Sequence, residues 1–252
     1  MALILHRSLR RYDPDQVRWV GLRLSAPCGT PQRFATSRLG QIAGRCKGVA
    51  PLGAGMANWW HQERLAAVLE EVRRLGPARV LDLGCGAGDL MLPLLDLPGI
   101  TQVVGLDLDG GALARCRARL ARHPQGDRAM LRQGSLSDPH PDLAGFDCAC
   151  LVEVIEHLPP AALPALEGAV FGILRPRAVV LTTPNAEFND LLGVPRTRLR
   201  RPDHRFEWTR AQLRDWAQGV AARQGYAVAF RDLAGAHPDL GGASQMAVFM
   251  RG

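Results

Sequence analysis

Apolar and polar residues alternate along this chain with two different periods. Five apolar runs of strand length are separated by segments in which apolar residues recur every three or four positions, as in amphipathic helices. The predicted strands are "ARVLDLG", "TQVVGLDL", "AMLRQGS", "FDCACLVEVI" and "AVVLTTP". The predicted helices cover 57–75, 89–96, 109–122 and 160–174. Strands that alternate with helices are typical of an α/β fold whose mainly parallel sheet is covered on both faces.

The C-terminal part follows a different order. A helix over "TRAQLRDWAQGVAARQG" is predicted to begin at a Thr209 cap and to end at Gly225. Two strands follow, "YAVAFRDL" and "SQMAVFM", and the glycine-rich segment "AGAHPDLGGA" joins them. We expect an antiparallel hairpin at the edge of the sheet, which makes seven strands in all.

The net charge of +7 is confined to the N-terminal segment. Residues 1–55 hold nine basic and two acidic residues, whereas the other 197 residues hold 22 of each sign. Because this segment has little periodicity, we predict a poorly ordered basic extension and a folded domain over 56–252. Two interpretations stay open: a basic arm that contacts phosphates, or sequence that precedes a true start at Met56.

Membrane and disulfide-bonded classes do not fit the composition. No apolar run approaches the ~20 residues that cross a bilayer, and the N-terminus lacks the pattern of a signal peptide. The six cysteines are scattered without a CxxC pair. Reduced thiols and a cytoplasmic location are therefore expected.

The segment "VLDLGCGAGDL" (80–90) predicts a nucleotide-binding loop between a strand and a helix. Gly84, Gly86 and Gly88 would let the backbone turn sharply and approach a ligand closely. Asp107 ends the next strand, where a carboxylate can accept both hydroxyls of a ribose. The spacing is G-x-G-x-G rather than the G-x-G-x-x-G of dinucleotide sites.

This loop, with Asp82 inside its strand, resembles the first motif of class I S-adenosylmethionine-dependent methyltransferases, which have a Rossmann-like fold. The resemblance implies that S-adenosylmethionine binds with its ribose on Asp107 and its methionine part on the loop backbone. Its adenine would lie between residues that follow the third strand. The cofactor-binding residues implied are Asp82, Gly84, Cys85, Gly86, Asp107, Ser135 and Leu136.

The pentapeptide EVIEH at 153–157 places polar groups directly after an apolar strand. In a helical turn, Glu153 would face Glu156 at i,i+3 and His157 at i,i+4. Two carboxylates so close repel each other, and a divalent cation would remove the conflict. A purely structural turn is the alternative. Further along, His204 lies in the polar segment "RRPDHRFEWTR", where a lone histidine can also be merely exposed.

Four segments in the same order resemble the small-RNA 3′-terminal 2′-O-methyltransferase family of the HUA-enhancer type. They are "LVEVIEHL", "TTPNAEFN", "DHRFEWTR" and "SQMAVF". The resemblance implies that one divalent ion, Mg²⁺, Mn²⁺ or Co²⁺, binds Glu153, Glu156, His157 and His204. The ion would also bind the 2′ and 3′ hydroxyls of an RNA 3′ end, and so activate the 2′ oxygen. Arg64 resembles a family position near the acceptor end, and Asn185, Glu187 and Asn189, which follow the fifth strand, are expected in the pocket wall. Arg200 and Arg201 belong to an arginine-rich run beside His204 and are expected to contact RNA through their charge.

Two other functions remain compatible with the sequence. A small-molecule O-methyltransferase of the same fold would not need His204 or a metal. A non-catalytic RNA-binding module on a methyltransferase scaffold would tolerate loss of the EVIEH residues, although the intact loop and the four ligand candidates argue against it. Phe206 and Trp208 could stack on bases, but aromatic residues at such positions are more often part of a core.

Overall fold

The computed structural model describes residues 54–235 and 237–252, and these residues form one mixed seven-stranded sheet with helices on both faces. The predicted N-terminal extension lies outside the described residues except for its last two, which begin α1. The strands are β1 (Arg79–Leu83), β2 (Gln102–Asp107), β3 (Ala129–Gln133), β4 (Cys148–Val152), β5 (Ala178–Pro184), β6 (Tyr226–Leu233) and β7 (Ser244–Arg251). The α-helices of the described residues are α1 (Ala54–Leu75), α2 (Met91–Leu95), α3 (Gly110–Leu120), α4 (Leu163–Glu167) and α5 (Arg210–Gln224).

The strand order is β3-β2-β1-β4-β5-β7-β6. Strands β1 to β5 run parallel, whereas β7 is antiparallel to both β5 and β6. This arrangement confirms the predicted seven-stranded, mostly parallel sheet with a C-terminal antiparallel hairpin. Chain order reverses between β1 and β4, which is the place where open α/β sheets bind their ligands.

Buried apolar residues form two layers, one on each face of the sheet. Val68, Met91 and Cys116 belong to the layer under α1, α2 and α3. Phe171 and Leu213 belong to the layer under α4 and α5. Every residue of β5 is buried, which explains why this central strand reads as a continuous apolar run rather than an alternating one.

The predicted helix over 160–174 is interrupted in the structure. A 3₁₀ turn at Pro160–Ala162 leads into α4, and a π-helical segment at Gly168–Leu174 completes it. Helix α5 begins as predicted, because Thr209 and Gln212 form a capping box, and it ends at Gly225 with φ of +74°. Within the described ranges, no helix is long and apolar enough to span a bilayer.

Candidate active site at the carboxyl edge of the sheet

The loop after β1 follows a backbone path that requires glycine at two positions. Gly84 has a φ of +83°, and a Cβ there would lie 2.6 Å from Cγ2 of Val154. Gly88 has a φ of +86°, and its Cβ would lie 2.6 Å from Sγ of Cys116. The first glycine therefore lets the loop pass against the turn after β4, and the second lets it pack on α3.

Three N–H groups of this loop are already used within the protein. Gly84 and Cys85 both donate to the carbonyl oxygen of Leu106, and Gly86 donates to Oδ2 of Asp107 at 2.7 Å. The carbonyl oxygens of the loop can each accept a second hydrogen bond, which suits an ammonium group. Asp107 also accepts from the backbone N–H of Asp109 at 2.8 Å. Each of its carboxylate oxygens keeps a lone pair for a ribose hydroxyl.

Asp82 is a buried carboxylate with an unused acceptor. Its side chain is enclosed within β1, and its Oδ2 has no hydrogen-bond partner among the described residues. Burial raises the pKa of Asp82 to about 7, and the negative charges of Asp107 and Asp89 add to the effect. A cationic ligand would offset this cost, and S-adenosylmethionine carries both a sulfonium and an ammonium. The acceptors present at this edge therefore fit that cofactor.

The predicted adenine-binding residues follow β3 next to Asp107. The backbone N–H of Gly134 donates to the carbonyl oxygen of Asp107 at 3.0 Å. Ser135 is held by His140, whose Nε2 lies 2.9 Å from the Ser135 carbonyl oxygen. Leu136 packs against the apolar layer on the α4 side. His140 was missed by the sequence reasoning, because a histidine in a polar loop carries no periodic signal.

The EVIEH segment bends sharply where β4 ends. Glu153 takes the left-handed conformation, with φ of +54°, and a 3₁₀ turn follows at Ile155–His157. Thr182 of β5 holds the bend, since its carbonyl oxygen accepts from the Glu153 N–H at 3.1 Å. The Thr182 hydroxyl also donates to Oε1 of Glu153 at 3.1 Å. A bent strand end thus projects both carboxylates from the edge of the sheet.

Glu156 is the most deeply buried carboxylate of the segment. Thr183 donates to its Oε2 at 2.9 Å, whereas its Oε1 has no hydrogen-bond partner in the part of the chain that is described. Burial, and then the charge of Glu153, raises the pKa of Glu156 well above its usual range. Burying a carboxylate oxygen without a hydrogen-bond partner is energetically unfavourable, and a bound cation would offset this cost.

Two histidines meet beside that carboxylate. The rings of His157 and His204 are 5.0 Å apart between centroids and nearly perpendicular, at 81°. Glu156, His157 and His204 each offer one ligand atom, and these atoms lie within 4.8 Å of one another. Burial lowers the pKa of His157, which favours the neutral imidazole that binds metals. The donor set of one carboxylate and two imidazoles fits a divalent transition metal.

Glu153, the fourth predicted ligand, has a different partner. Nη1 of Arg64 lies 3.4 Å from Oε2 of Glu153 and donates to Oγ of Ser244 at 3.3 Å. Arg64 therefore neutralises Glu153 in this structure, and Glu153 stands next to the three-residue cluster rather than within it. The predicted substrate residue Arg64 thus lies at the site.

Most of the other predicted substrate residues form hydrogen bonds or ion pairs within the protein, whereas Arg201 lies on the surface. Asn185 is buried and donates to the carbonyl oxygens of Leu240 and Gly242, and Glu187 pairs with Arg210 at 2.7 Å. Asn189 donates to Glu207 at 2.7 Å. The guanidinium of Arg200 donates to the carbonyl oxygens of Asn185 and Ala243. Arg201 is exposed and pairs with Asp203 at 3.0 Å.

The aromatic residues of the same segment pack mainly on the protein. Phe206 and Trp208 lie 4.5 Å apart between ring centroids, and Trp208 lies 5.4 Å from Trp216. All three are partly buried against the apolar layer on the α4 and α5 side. This placement agrees with the core interpretation of the two aromatic residues.

Comparison with known proteins identifies the family. A family model described as a methyltransferase domain matches residues 80–177. The small RNA 2′-O-methyltransferase of Gallus gallus is 37% identical over 204 residues, which are 76% of this chain and 54% of that protein. The enzyme of the same name from Arabidopsis thaliana is 31% identical over 75% of this chain and 22% of its own length. The chain thus spans about half the length, or less, of these curated relatives.

Solved structures give the same result. The methyltransferase domain of a bacterial CtHen1 is 35% identical, with a TM-score of 0.68 over 76% of this chain and 99% of that domain. The small RNA methyltransferase HEN1 is 29% identical, with a TM-score of 0.71 over 82% of this chain and 27% of its own. The chain therefore belongs to the Hen1-type small RNA 2′-O-methyltransferase family.

Proposed function

We propose that this protein transfers a methyl group from S-adenosylmethionine to the 2′ hydroxyl of the 3′-terminal nucleotide of RNA. A divalent cation held by Glu153, Glu156, His157 and His204 would assist the transfer. The observation that carries the proposal is Oε1 of Glu156, which has no hydrogen-bond partner among the described residues and is buried beside two imidazoles at the carboxyl edge of the sheet. The relatives named above, which are small RNA 2′-O-methyltransferases, support the substrate class.

The cofactor and the cation would each supply one element of chemistry. S-adenosylmethionine supplies an electrophilic methyl, and a divalent cation lowers the pKa of a hydroxyl that it binds. The protein contributes position and charge. Thr182 and Thr183 orient the two carboxylates, and the loop around Gly84 sets where the donor can lie. Specificity for a 3′ end follows from the pair of neighbouring hydroxyls, because an internal nucleotide lacks the 3′ hydroxyl and DNA lacks the 2′ hydroxyl.

The ion pair between Arg64 and Glu153 supports a role for Arg64 in binding RNA. Oε2 of Glu153 lies 3.4 Å from Nη1 of Arg64, and a cation bound by Glu153 would weaken this ion pair. The positive charge of Arg64 would then no longer be fully paired with Glu153 and could attract an anion at the site. The phosphodiester that precedes the terminal nucleotide of RNA is the anion that this charge suits best.

The basic segment 1–55 adds to this proposal. The described domain is neutral by count, so the excess charge of +7 lies in the segment that precedes it. We propose that the segment increases RNA affinity through phosphate contacts that carry no sequence information. A chain that starts at Met56 should bind RNA more weakly and with a smaller salt dependence. Equal affinity and equal salt dependence would show that the segment takes no part.

The experiment that tests the proposal compares RNAs with altered ends. The purified chain is given labelled S-adenosylmethionine with Mn²⁺ or with EDTA. The RNAs end in a normal diol, a 2′-deoxy nucleotide or a 3′-phosphate. We expect label only on the diol and only with the metal. Label on the 2′-deoxy RNA, or full activity in EDTA, would refute diol binding by a metal.

A pair of variants locates the reaction in the chain. His204→Gln should lower activity by at least about 100-fold, as expected for a lost metal ligand. His123→Gln is the matched control, because His123 follows α3 at the opposite edge of the sheet and contacts Asp96. Equal activity of the two variants would remove His204 from the site. Methylation of small alcohols but of no RNA would favour a small-molecule O-methyltransferase instead.

A further inference from the structure

A buried carboxylate lies directly behind His204. Oε1 of Glu207 is 2.6 Å from Nδ1 of the His204 ring, and both side chains are almost completely enclosed, with 4% of His204 and 1% of Glu207 exposed. Glu207, in an arginine-rich segment, could have paired with an arginine. Its closest polar contact is instead the imidazole that faces Glu156 and His157.

Glu207 is itself held in place from two sides. Its Oε1 also accepts from the backbone N–H of Arg200 at 2.8 Å, and its Oε2 accepts from Nδ2 of Asn189 at 2.7 Å. Arg200 is fixed in turn, since its guanidinium donates to the carbonyl oxygen of Ala243. The carboxylate is therefore part of a rigid polar frame and can impose an orientation on the ring that it contacts.

The contact decides which ring nitrogen is free. A carboxylate only accepts hydrogen bonds, so Nδ1 of His204 must carry the proton, and the lone pair lies on Nε2. We propose that Glu207 is a positioning residue that holds His204 in the Nδ1–H tautomer and thereby directs its Nε2 lone pair at the cation. The inference deepens the metal site of the proposed function and rests on it. A carboxylate behind a metal-binding histidine also increases the basicity of the ligand.

Nδ1 of His157 also has a polar partner, Asp203, but the contact is weaker. Its Nδ1 lies 3.4 Å from the carbonyl oxygen and 3.5 Å from Oδ2 of Asp203. These contacts are longer than a good hydrogen bond, and the Asp203 carboxylate is about half exposed and shared with Arg201. We therefore expect loss of Glu207 to affect the site more strongly than loss of Asp203.

The test reads the tautomer directly by ¹⁵N NMR of histidine-labelled, metal-free full chain, with the His204 signals identified from His204→Gln. The unmodified chain should show a protonated Nδ1 and an unprotonated Nε2 for neutral His204. Glu207→Leu removes the acceptor and should shift the ring toward the Nε2–H form. Glu207→Gln keeps a carbonyl oxygen at the same position and should restore the Nδ1–H form.

Metal affinity gives the second readout. Glu207→Leu should weaken Mn²⁺ binding by about 10- to 100-fold, and Glu207→Gln and Asp203→Asn should each weaken it less. The matched control is Glu167→Leu, which removes another buried carboxylate, bonded to Arg223 and Gln224, far from the site. It should leave Mn²⁺ affinity unchanged.

Several results would overturn the inference. An Nε2–H tautomer of His204 in the unmodified chain would do so without any variant, as would an unchanged tautomer in Glu207→Leu. If Glu207→Leu fails to fold, the unmodified chain and Glu207→Gln still decide the question. Failure of the unmodified chain to bind Mn²⁺ would refute the metal site itself, whereas the metal-free NMR measurement judges the role of Glu207 independently.

Discussion

Asp82→Asn should make the stability of the domain less dependent on pH and should weaken cofactor binding. Asp82 is buried in β1, its Oδ2 has no partner in the part of the chain that the structure describes, and burial raises its pKa from 3.8 to about 7. Asparagine has nearly the same shape but cannot ionise. The substitution therefore isolates the charge of Asp82 from its packing.

The sign and size of the effect follow from proton linkage. Between pH 4 and pH 7 the folded chain keeps the Asp82 proton, whereas the unfolded chain, with an ordinary pKa, releases it. The unfolded state then binds fewer protons, so stability falls as pH rises through this window and levels off above it. One proton over the two pH units from 5 to 7 corresponds to a loss of roughly 3 kcal/mol.

The assay is urea unfolding of both proteins without cofactor at several values between pH 5 and pH 8. Groups other than Asp82 titrate in both proteins and cancel in the difference. We expect Asp82→Asn to gain roughly 3 kcal/mol relative to the unmodified chain across this range, offset by a constant of about 1–3 kcal/mol for an amide without partners. Parallel stability curves would refute the pKa near 7.

The second part of this prediction concerns how cofactor binding depends on the charge of Asp82. The cationic cofactor should favour ionised Asp82, so its binding to the unmodified chain should release a proton and tighten as pH rises toward 8. Asp82→Asn should bind S-adenosylmethionine more weakly and with little pH dependence. Titration calorimetry in buffers of different ionisation enthalpy measures the proton release. Uptake of a proton would contradict the assignment.

Three further substitutions test other contacts. Gly84→Ala should lower the free energy of unfolding in urea by about 1–3 kcal/mol, because φ is +83° and the new Cβ meets Val154. Unchanged stability would show that the loop can relax. Thr183→Val removes the donor to Glu156 and should weaken Mn²⁺ binding ~10-fold without changing S-adenosylmethionine affinity, whereas an equal loss of both would indicate general damage. Arg200→Met should lower the free energy of unfolding in urea by about 2–4 kcal/mol, since two charge-assisted hydrogen bonds to carbonyl oxygens are lost. Full stability with lost RNA binding would instead make Arg200 a substrate contact.

Much of the fold could be predicted from the sequence because its signals are local. The central strands are apolar runs of the right length, and the loop at Gly84 follows one of them directly. The capping box at Thr209 also lies within a few residues of chain. The break of the 160–174 helix into a π-helical segment was not predicted, because its apolar spacing is that of an ordinary helix.

Only part of the site could be predicted from the sequence, because the site depends on contacts between residues that are far apart in the sequence. Strands β4 and β5 pair in a register that places Val152 beside Thr182, and this register brings Thr182 and Thr183 to the EVIEH turn. The sequence could have suggested this contact, because neighbouring parallel strands end at the same edge of the sheet. The contact between His204 and Glu207 is different. It depends on how an irregular loop folds, and the resemblance to a family pointed to His204 but not to the carboxylate behind it.

The most direct test of the account is the periodate resistance of the RNA product. Periodate cleaves a terminal ribose only when the 2′ and 3′ hydroxyls are both free. RNA incubated with the chain, S-adenosylmethionine and Mn²⁺ should become resistant, whereas RNA incubated with EDTA, or with the Glu156→Gln protein, should be cleaved. RNA that carries the methyl label but is still cleaved by periodate would contradict the account, because the methyl group would then lie elsewhere.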